Sequence, residues 1–475
     1  MSKNSFFPFL LFVSPLSADH NELIKSVDSR EKSTWEIAQK IWEFAEPGYQ
    51  EIQSTKLLAK ELENAGFEIK FGVAEIPTAF TATIGSGKPV IGILGEYDAL
   101  PELAQEAVPE RKIRKGNGYG HACGHHLFGA ASMSAAIALG EQIRLKKING
   151  TIRFYGCPAE EGGSAKAFMV RAGLFEDCDV VLHWHPSSKN SAGDNTCLSR
   201  IAVKFRFHGK AAHAAGSPEA GRSALDGVAL TTHAAELLRE HCPDFTRIHH
   251  TITHGGGNAP NVVPEFAEVF FYVRHPDSQV IQKIYPRLLK CAQGAALATE
   301  TRLEIVELGG TKELLPNRTL SDVIAGNLKK LNQIRYSEDD FRFATRMQQH
   351  LDTKVTLDSI KSVEFSAGKL TKGSTDVGDV SWVVPTAGFT TACYVPGTPA
   401  HSWQAVAAGG TTIGKQGMQL AAKTMACSAW DLLMQPEVIA AAKKELSVQL
   451  GERKYEPLIG KNQKPPLDYR NPPRQ

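Results

Sequence analysis

The stretch "PVIGILGEYDALPE", Pro89 to Glu102, is a run of aliphatic residues that passes directly into an acidic loop. Three further stretches share the form: "TIRFYGCPAEEGG" (Thr151 to Gly163), "CDVVLHWHP" (Cys178 to Pro186) and "TTACYVPGTPAHSW" (Thr390 to Trp403). Each is rich in β-branched and aromatic residues and ends in acids or histidines. Helical patterns separate the first three, "LFGAASMSAAIALGEQI" from Leu127 to Ile143 and "AKAFMVRAGLF" from Ala165 to Phe175. This alternation predicts an α/β domain with an open, doubly wound and mostly parallel sheet covered by helices on both faces. Ligands bind beyond the carboxyl ends of the strands in such sheets. All four polar clusters fall there.

The middle of the chain reads differently. After the Gly/Ser/Asn-rich "SSKNSAGDNT" come a strand over 201–208, a helix near 218–240, strands over 247–254 and 265–274, a helix over 278–297 and a strand over 302–307. The order βαββαβ describes a self-contained two-layer unit with an antiparallel component. Because the first pattern resumes after "ELGGTKEL", this unit is an insertion. The expected division is a catalytic domain in two parts, 19–197 and 310–450, an inserted domain over 198–309, and a Pro-rich polar tail over 451–475 that is extended or disordered.

A chain of 475 residues, 42% of them hydrophobic, has room for about two or three domains with full cores. With 53 Lys+Arg against 51 Asp+Glu and no basic run interleaved with aromatics, nucleic acid is not an expected partner. Small molecules are. The eight cysteines are scattered, without CxxC, and do not fix the redox compartment. Residues 1–18, with Lys3, an apolar stretch from Phe6 to Val13 and small residues before Ala18, have the layout of a secretory signal peptide. The expectation is export to the periplasm or medium, with a cytoplasmic location as the alternative. That stretch is too short to span a membrane, and no other segment approaches the required length.

The chemistry centres on "NGYGHACGHHLFGAA", Asn117 to Ala131. Cys123 and His125, two apart before a helix, are a thiolate and an imidazole suited to zinc and similar divalent ions. Alone they are also what a tight strand-to-helix turn would contain. Glu160, Glu161, His183, His185 and His401 converge on the same sheet edge by topology, which packing does not explain. Glu160 and Glu161 are neighbours and point in opposite directions on an extended chain, so one can bind metal while the other faces a reacting water. The alternative is a pair of exposed acids at a helix start. Pro186 ends the strand after His185 and favours that histidine over His183 as a ligand.

The segments "GYGHACGHHLFG", "GEYDALPE", "PAEEGGS", "VLHWHP", "GKAAHAAGSPEAGRSALDG", "APNVVPEFAEVFFYVR" and "GTPAHS" together resemble the amidohydrolase branch of the metallopeptidase family that includes aminoacylases and glutamate carboxypeptidases. The resemblance covers nearly the whole chain after residue 20. It implies hydrolysis of the amide of an N-acyl amino acid by a water activated between two divalent ions, Zn2+ or Mn2+, with the inserted domain as lid and dimerisation surface. By the same resemblance Cys123 bridges the ions, and His125, Glu161, His185 and His401 complete the ligands. Glu160 is the general base, Asp98 orients a ligand or base, His213 reaches across a dimer to the oxyanion, and Asn261 and Arg274 hold the substrate's polar end. Two departures leave supporting roles open: His126 stands where many relatives have Asp, and "GSTDVGDVSW" stands where many have an acidic pair. A homodimer is expected, with a heteromer as the alternative. The competing functions are a dipeptidase or aminoacylase of the same family, or a metal- or peptide-binding component of a heteromer without catalysis. Glu160 is present, which argues against the last.

Overall fold

The computed structural model describes residues 18–471. The expected signal peptide, through residue 17, lies outside the described residues. Among the described residues twelve strands form two sheets. Those of the first half are β1 (Glu68–Phe71), β2 (Phe80–Ser86), β3 (Val90–Glu96), β4 (Gly150–Cys157), β5 (Val180–Ser187) and β6 (Asn190–Gly193). The rest are β7 (Ser199–His208), β8 (Arg247–His254), β9 (Phe266–His275), β10 (Arg302–Thr311), β11 (Val363–Ser366) and β12 (Thr386–Ala392).

The larger sheet has the order β1-β2-β4-β3-β5-β12-β6-β11. Its centre, β4-β3-β5-β12, is parallel throughout, whereas β1, β2 and β6 add antiparallel pairs toward the edges. Every residue of β3 is buried, as a strand covered on both faces requires. The chain leaves β3 for β4 on one side and then returns to β5 on the other. That reversal opens a crevice at the carboxyl ends of these strands.

The helix His125–Arg144 fills one face of the sheet and is buried almost all round, as a helix of Ala, Ser, Leu and Met without a charged stripe demands. It starts at Gly124, whose φ of 74° suits glycine, and a Cβ there would come within 2.3 Å of the Tyr394 hydroxyl and 2.7 Å of Pro186 Cβ. The first turn of this helix is thereby pressed onto the end of β5. Thr412–Met434 packs alongside, and Leu127, Ile93, Phe154, Trp184 and Met425 belong to one continuous core. Each large apolar side chain so buried contributes about 1.5–3 kcal/mol.

The inserted unit has the expected βαββαβ order, and its sheet runs β10-β7-β9-β8 with all pairs antiparallel. Helices Ala224–Arg239 and Ser278–Thr299 cover it around Val203, Phe205, Val269 and Phe271. Two boundaries move. The helix near 218–240 begins at Ala224, because Ser223 caps it by accepting the Asp226 N–H, and 218–220 is a separate short turn. The last strand continues to Thr311 through a bulge between Glu307 and Gly309.

The described part of the tail is extended, one of the two expected alternatives, and it is held against the fold. Residues 452–471 carry no helix or strand, but they are not a solvated tail: Ile459 and Tyr469 are buried against Tyr49, Phe168, Ala202 and Leu308. Polar composition suggested a loose end, whereas a few well-spaced apolar side chains tie it down.

Candidate metal centre and active site

Each donor sits where an element ends. Asp98 follows β3, Glu160 and Glu161 follow β4, His185 is near the end of β5, His125 opens the buried helix, and His401 lies in the loop after β12. The structure brings Cys123, His125 and His185 together as one group, and Cys123, Glu161 and His401 as another, with ligand atoms in each within 4.8 Å of one another. Cys123 belongs to both. Its Sγ is 3.3 Å from His185 Nε2, and His401 Nε2 is 3.3 Å from Glu161 Oε1.

Asp98 supports this cluster from behind. Its Oδ1 is 2.8 Å from His125 Nδ1, and its Oδ2 accepts the Glu161 N–H at 2.9 Å. That leaves His125 Nε2 facing the cluster, the usual role of a carboxylate behind a ligating imidazole. His185 Nδ1 is 2.7 Å from the Pro186 carbonyl, which fixes its ring in the same way.

The electrostatics fit a cation. Burial and Glu161 push the Cys123 thiol up, but His185 and His125 outweigh them and bring it down to about 6. Burial also opposes ionisation of Glu161, yet His401 and His125 hold its carboxyl far below the usual range. Cys123 and Glu161 in turn raise His401 to about 11. A thiolate and a carboxylate that favour protons on neighbouring imidazoles favour a divalent ion in the same place. Glu161 Oε1 and His125 Nε2 are enclosed, and their nearest polar neighbours, His401 Nε2 at 3.3 Å and Glu96 Oε2 at 3.1 Å, belong to the same donor groups, so both atoms face the place an ion would take. The residues fit divalent metal.

Glu160 stands apart from the shared-thiolate donors and groups with Glu96 and His125. Burial, then Glu161, Glu96 and Asp376, hold its carboxyl well above the ordinary value. A carboxyl so raised is suited to accepting a proton near neutral pH. Glu96, the last residue of β3, is a residue that the sequence reading missed, and its Oε2 lies 3.1 Å from His125 Nε2. Its other oxygen is 2.7 Å from Lys166 Nζ, which is 2.6 Å from Asp376 Oδ1, and all three groups are buried. The motif "GSTDVGDVSW" therefore contributes Asp376 to a buried ion cluster behind the site.

The other histidines of these motifs are not donors to the cluster. His126 Nε2 lies 3.1 Å from the Gly409 carbonyl, and burial pushes its ring down to about 3, so it is a neutral brace to the helix Trp403–Gly409. His121 bonds the Ile41 carbonyl at 3.0 Å. His183 packs on Gly388, where a Cβ would come within 2.3 Å of its ring, and burial likewise lowers it to about 3.

A cavity of about 840 Å³ opens over the donors, lined by Cys123, Glu160, Glu161, His185, His401 and, from the inserted domain, Arg274. Arg274 donates to Ser374 Oγ at 3.1 Å. His213 and Asn261 are exposed, and neither lines this cavity. They lie on facing loops of the inserted domain, where His213 pairs with Val262 and Ala214 N–H donates to the Asn261 carbonyl at 2.9 Å. Arg200 and Arg470 line the cavity as well and had no signal in the local sequence.

The family model for peptidase family M20/M25/M40 matches residues 92–407. The chain is 39% identical to one of the subunits of the p-aminobenzoyl-glutamate hydrolase of Escherichia coli strain K12, over 90% of this chain and 95% of that protein. It is 30% identical to the Xaa-Arg dipeptidase of Mus musculus, over 92% of this chain and 95% of that protein. The fold is similar to that of an aminobenzoyl-glutamate utilization protein from Klebsiella pneumoniae, with a TM-score of 0.61 and 18% identity, covering 86% of this chain and 98% of that one.

Proposed function

The chain belongs to peptidase family M20/M25/M40 and is a hydrolase of amide bonds, and on that premise we propose that it cleaves N-acyl amino acids of the p-aminobenzoyl-glutamate type. The observation that carries the reading is the pair of donor groups joined at Cys123, set in one cavity with Glu160 and Arg274. Cys123, His125 and His185 would hold one ion, and Cys123, Glu161 and His401 the other. Thiolate favours zinc, and the imidazole and carboxylate donors also suit manganese. When bound, such ions lower the pKa of a water and stabilise negative charge on the carbonyl oxygen under attack.

The protein's own groups do the rest. Glu160 takes the proton from the attacking water and passes it to the nitrogen of the leaving amine. Asp98 keeps His125 and the Glu161 backbone in place while charge moves. Arg274, with its planar fork, grips the carboxylate beside the scissile amide. His213 approaches the oxyanion from a second chain, and Asn261 comes with it.

That second chain is supported by the outer strand β8 and by Leu230, Leu237 and Ile252, which are exposed on the inserted domain. A homodimer is the first reading, and a heteromer is the other because the bacterial hydrolase relative is named as one subunit of its enzyme. Among the described residues no helix is long and apolar enough to cross a membrane. Export is proposed from the pattern of residues 1–18 alone. A dipeptidase acting on a C-terminal arginine is less well supported, since a substrate guanidinium would enter a cavity already lined by Arg200, Arg274 and Arg470.

The test is release of p-aminobenzoate from p-aminobenzoyl-glutamate by protein loaded with zinc or manganese. Glu160→Gln should retain two ions and lose turnover. Normal turnover in that variant, or none by the wild type on a panel of N-acyl amino acids, would overturn the reading.

A further inference from the structure

We propose that the C-terminal segment completes the substrate pocket, and that its Arg470 reads a second carboxylate on the substrate, the one on the side chain of the amino acid released. The proposal rests on the amidohydrolase reading above and goes beyond it by assigning selectivity to a segment outside both domains.

The segment is anchored at many points on both domains. Tyr455 donates to Asp379 Oδ1 at 2.8 Å. Leu458 presses onto Gly310 of β10, where a Cβ would lie 2.6 Å from its own. Arg171 donates to the carbonyls of Gly460 at 2.7 Å and Gln463 at 2.6 Å, and Gln463 donates to the Glu307 carbonyl at 3.0 Å. Near the end, Tyr469 meets Tyr49 edge to face at 5.7 Å. Two glycines leave room for it: a Cβ on Gly48 would be 2.4 Å from its hydroxyl, and one on Gly162 would be 3.2 Å from its ring. Its hydroxyl donates to the Glu161 carbonyl at 3.2 Å, while Asn471 accepts from Gln50 at 2.9 Å. Arg470 is therefore pinned on both sides.

Its guanidinium enters the catalytic cavity and donates to the carbonyl of the metal-ligand candidate Glu161. Arg200 and Arg274 line the same cavity. The Nε atoms of all three arginines are buried without a hydrogen-bond partner, and among the described residues none of the three forms an ion pair with a carboxylate. Arg200 and Arg274 instead lie against the Tyr272 ring, at 4.8 and 5.2 Å. Enclosed guanidiniums with unmet donors are costly unless an anion joins them. A single carboxylate occupies one guanidinium fork. An amino-acid substrate with two carboxylates supplies a partner for Arg274 and another for Arg470. The cavity is within the range of small-molecule sites.

The experiment compares p-aminobenzoyl-glutamate with p-aminobenzoyl-glutamine, which differ only in that second charge, and measures glutamate and glutamine binding by calorimetry. In Arg470→Ala the glutamate-to-glutamine ratio of kcat/KM should fall about tenfold or more, as expected for loss of an enclosed charge pair. Arg470→Lys, which retains charge without the fork, should lie between, and serves if the first variant fails to fold. An unchanged ratio with both substrates slowed equally would mean that Arg470 only braces Glu161, and would overturn the proposal. Wild-type hydrolysis with no preference for the acidic substrate would overturn it while leaving the hydrolase reading intact. Glutamate binding that depends on Arg470, in a protein that hydrolyses neither compound, would support it and sink the hydrolase reading instead.

Discussion

Asp98 and His125 are joined at 2.8 Å, Oδ1 to Nδ1, and the same carboxylate accepts the backbone N–H of Glu161 through its other oxygen. One buried acid thus sets the direction of two donors that come from different loops. Asp98→Asn retains the shape but removes the charge behind the imidazole. Metal affinity should fall about 10–100-fold, measured by competition with a chelator. Unchanged affinity would separate Asp98 from the ligands.

Lys166 is wholly enclosed between Glu96 and Asp376. Removing this buried cation leaves Asp376 without its counter-charge and Glu96 with His125 alone, at 3.1 Å, and breaking a buried pair in this way costs about 3–5 kcal/mol. Lys166→Met should therefore unfold at clearly lower urea than the wild type. A loss under about 1 kcal/mol, the scale of a surface pair, would show that the cluster adjusts its protonation instead.

The parallel sheet and its active edge were legible because donors lie just beyond strand ends, where a run of apolar residues stops at a visible acid or histidine. Glu161, His185 and His401 carry that mark, whereas Cys123 and His125 were legible as a thiol and an imidazole two apart at the start of a helix. Lys166 carries neither signal. It reads as an ordinary helical lysine, and only the folded neighbours Glu96 and Asp376 explain its burial. Arg470 sits in a Pro-rich stretch whose composition suggested solvent, and its place depends on Tyr469 fitting between residues near the other end of the chain. His213 and Asn261 were named by resemblance, and the fold of one chain holds them outside the cavity.

Asp379 gives a pH dependence whose sign can be worked out. Burial pushes its carboxyl up to about 7, against the pull of the Tyr455 hydroxyl and the Lys312 N–H. An unfolded aspartate titrates near 3.9, so between about pH 4 and 7 the folded state binds the extra proton. Stability from this group is fully present at the acid end and is lost as pH rises through 7. Asp379→Asn stays neutral. In urea unfolding at pH 4, 5.5 and 7, pH values spanning roughly that window, the stability of Asp379→Asn relative to wild type should rise by on the order of 2–4 kcal/mol. A constant difference would place the Asp379 titration outside this range.

The last prediction concerns the second chain. His213 is exposed, accepts the N–H groups of Ala215 and Gly216 at its Nδ1, and does not line the cavity of its own chain. If it serves the cavity of a neighbour, then Glu160→Gln and His213→Ala are each inactive for different reasons. A dimer containing one of each holds one cavity with an intact Glu160 and a His213 supplied by the other chain. Equal mixing and free exchange put about half of the chains in such dimers, and one of their two sites works, so activity should return to roughly a quarter of the wild-type level. Exchange between dimers must be followed independently, by mixing tagged chains and co-purifying them. Exchange without recovered activity would assign His213 to its own chain or to a different partner protein, and activity in His213→Ala alone would remove it from catalysis.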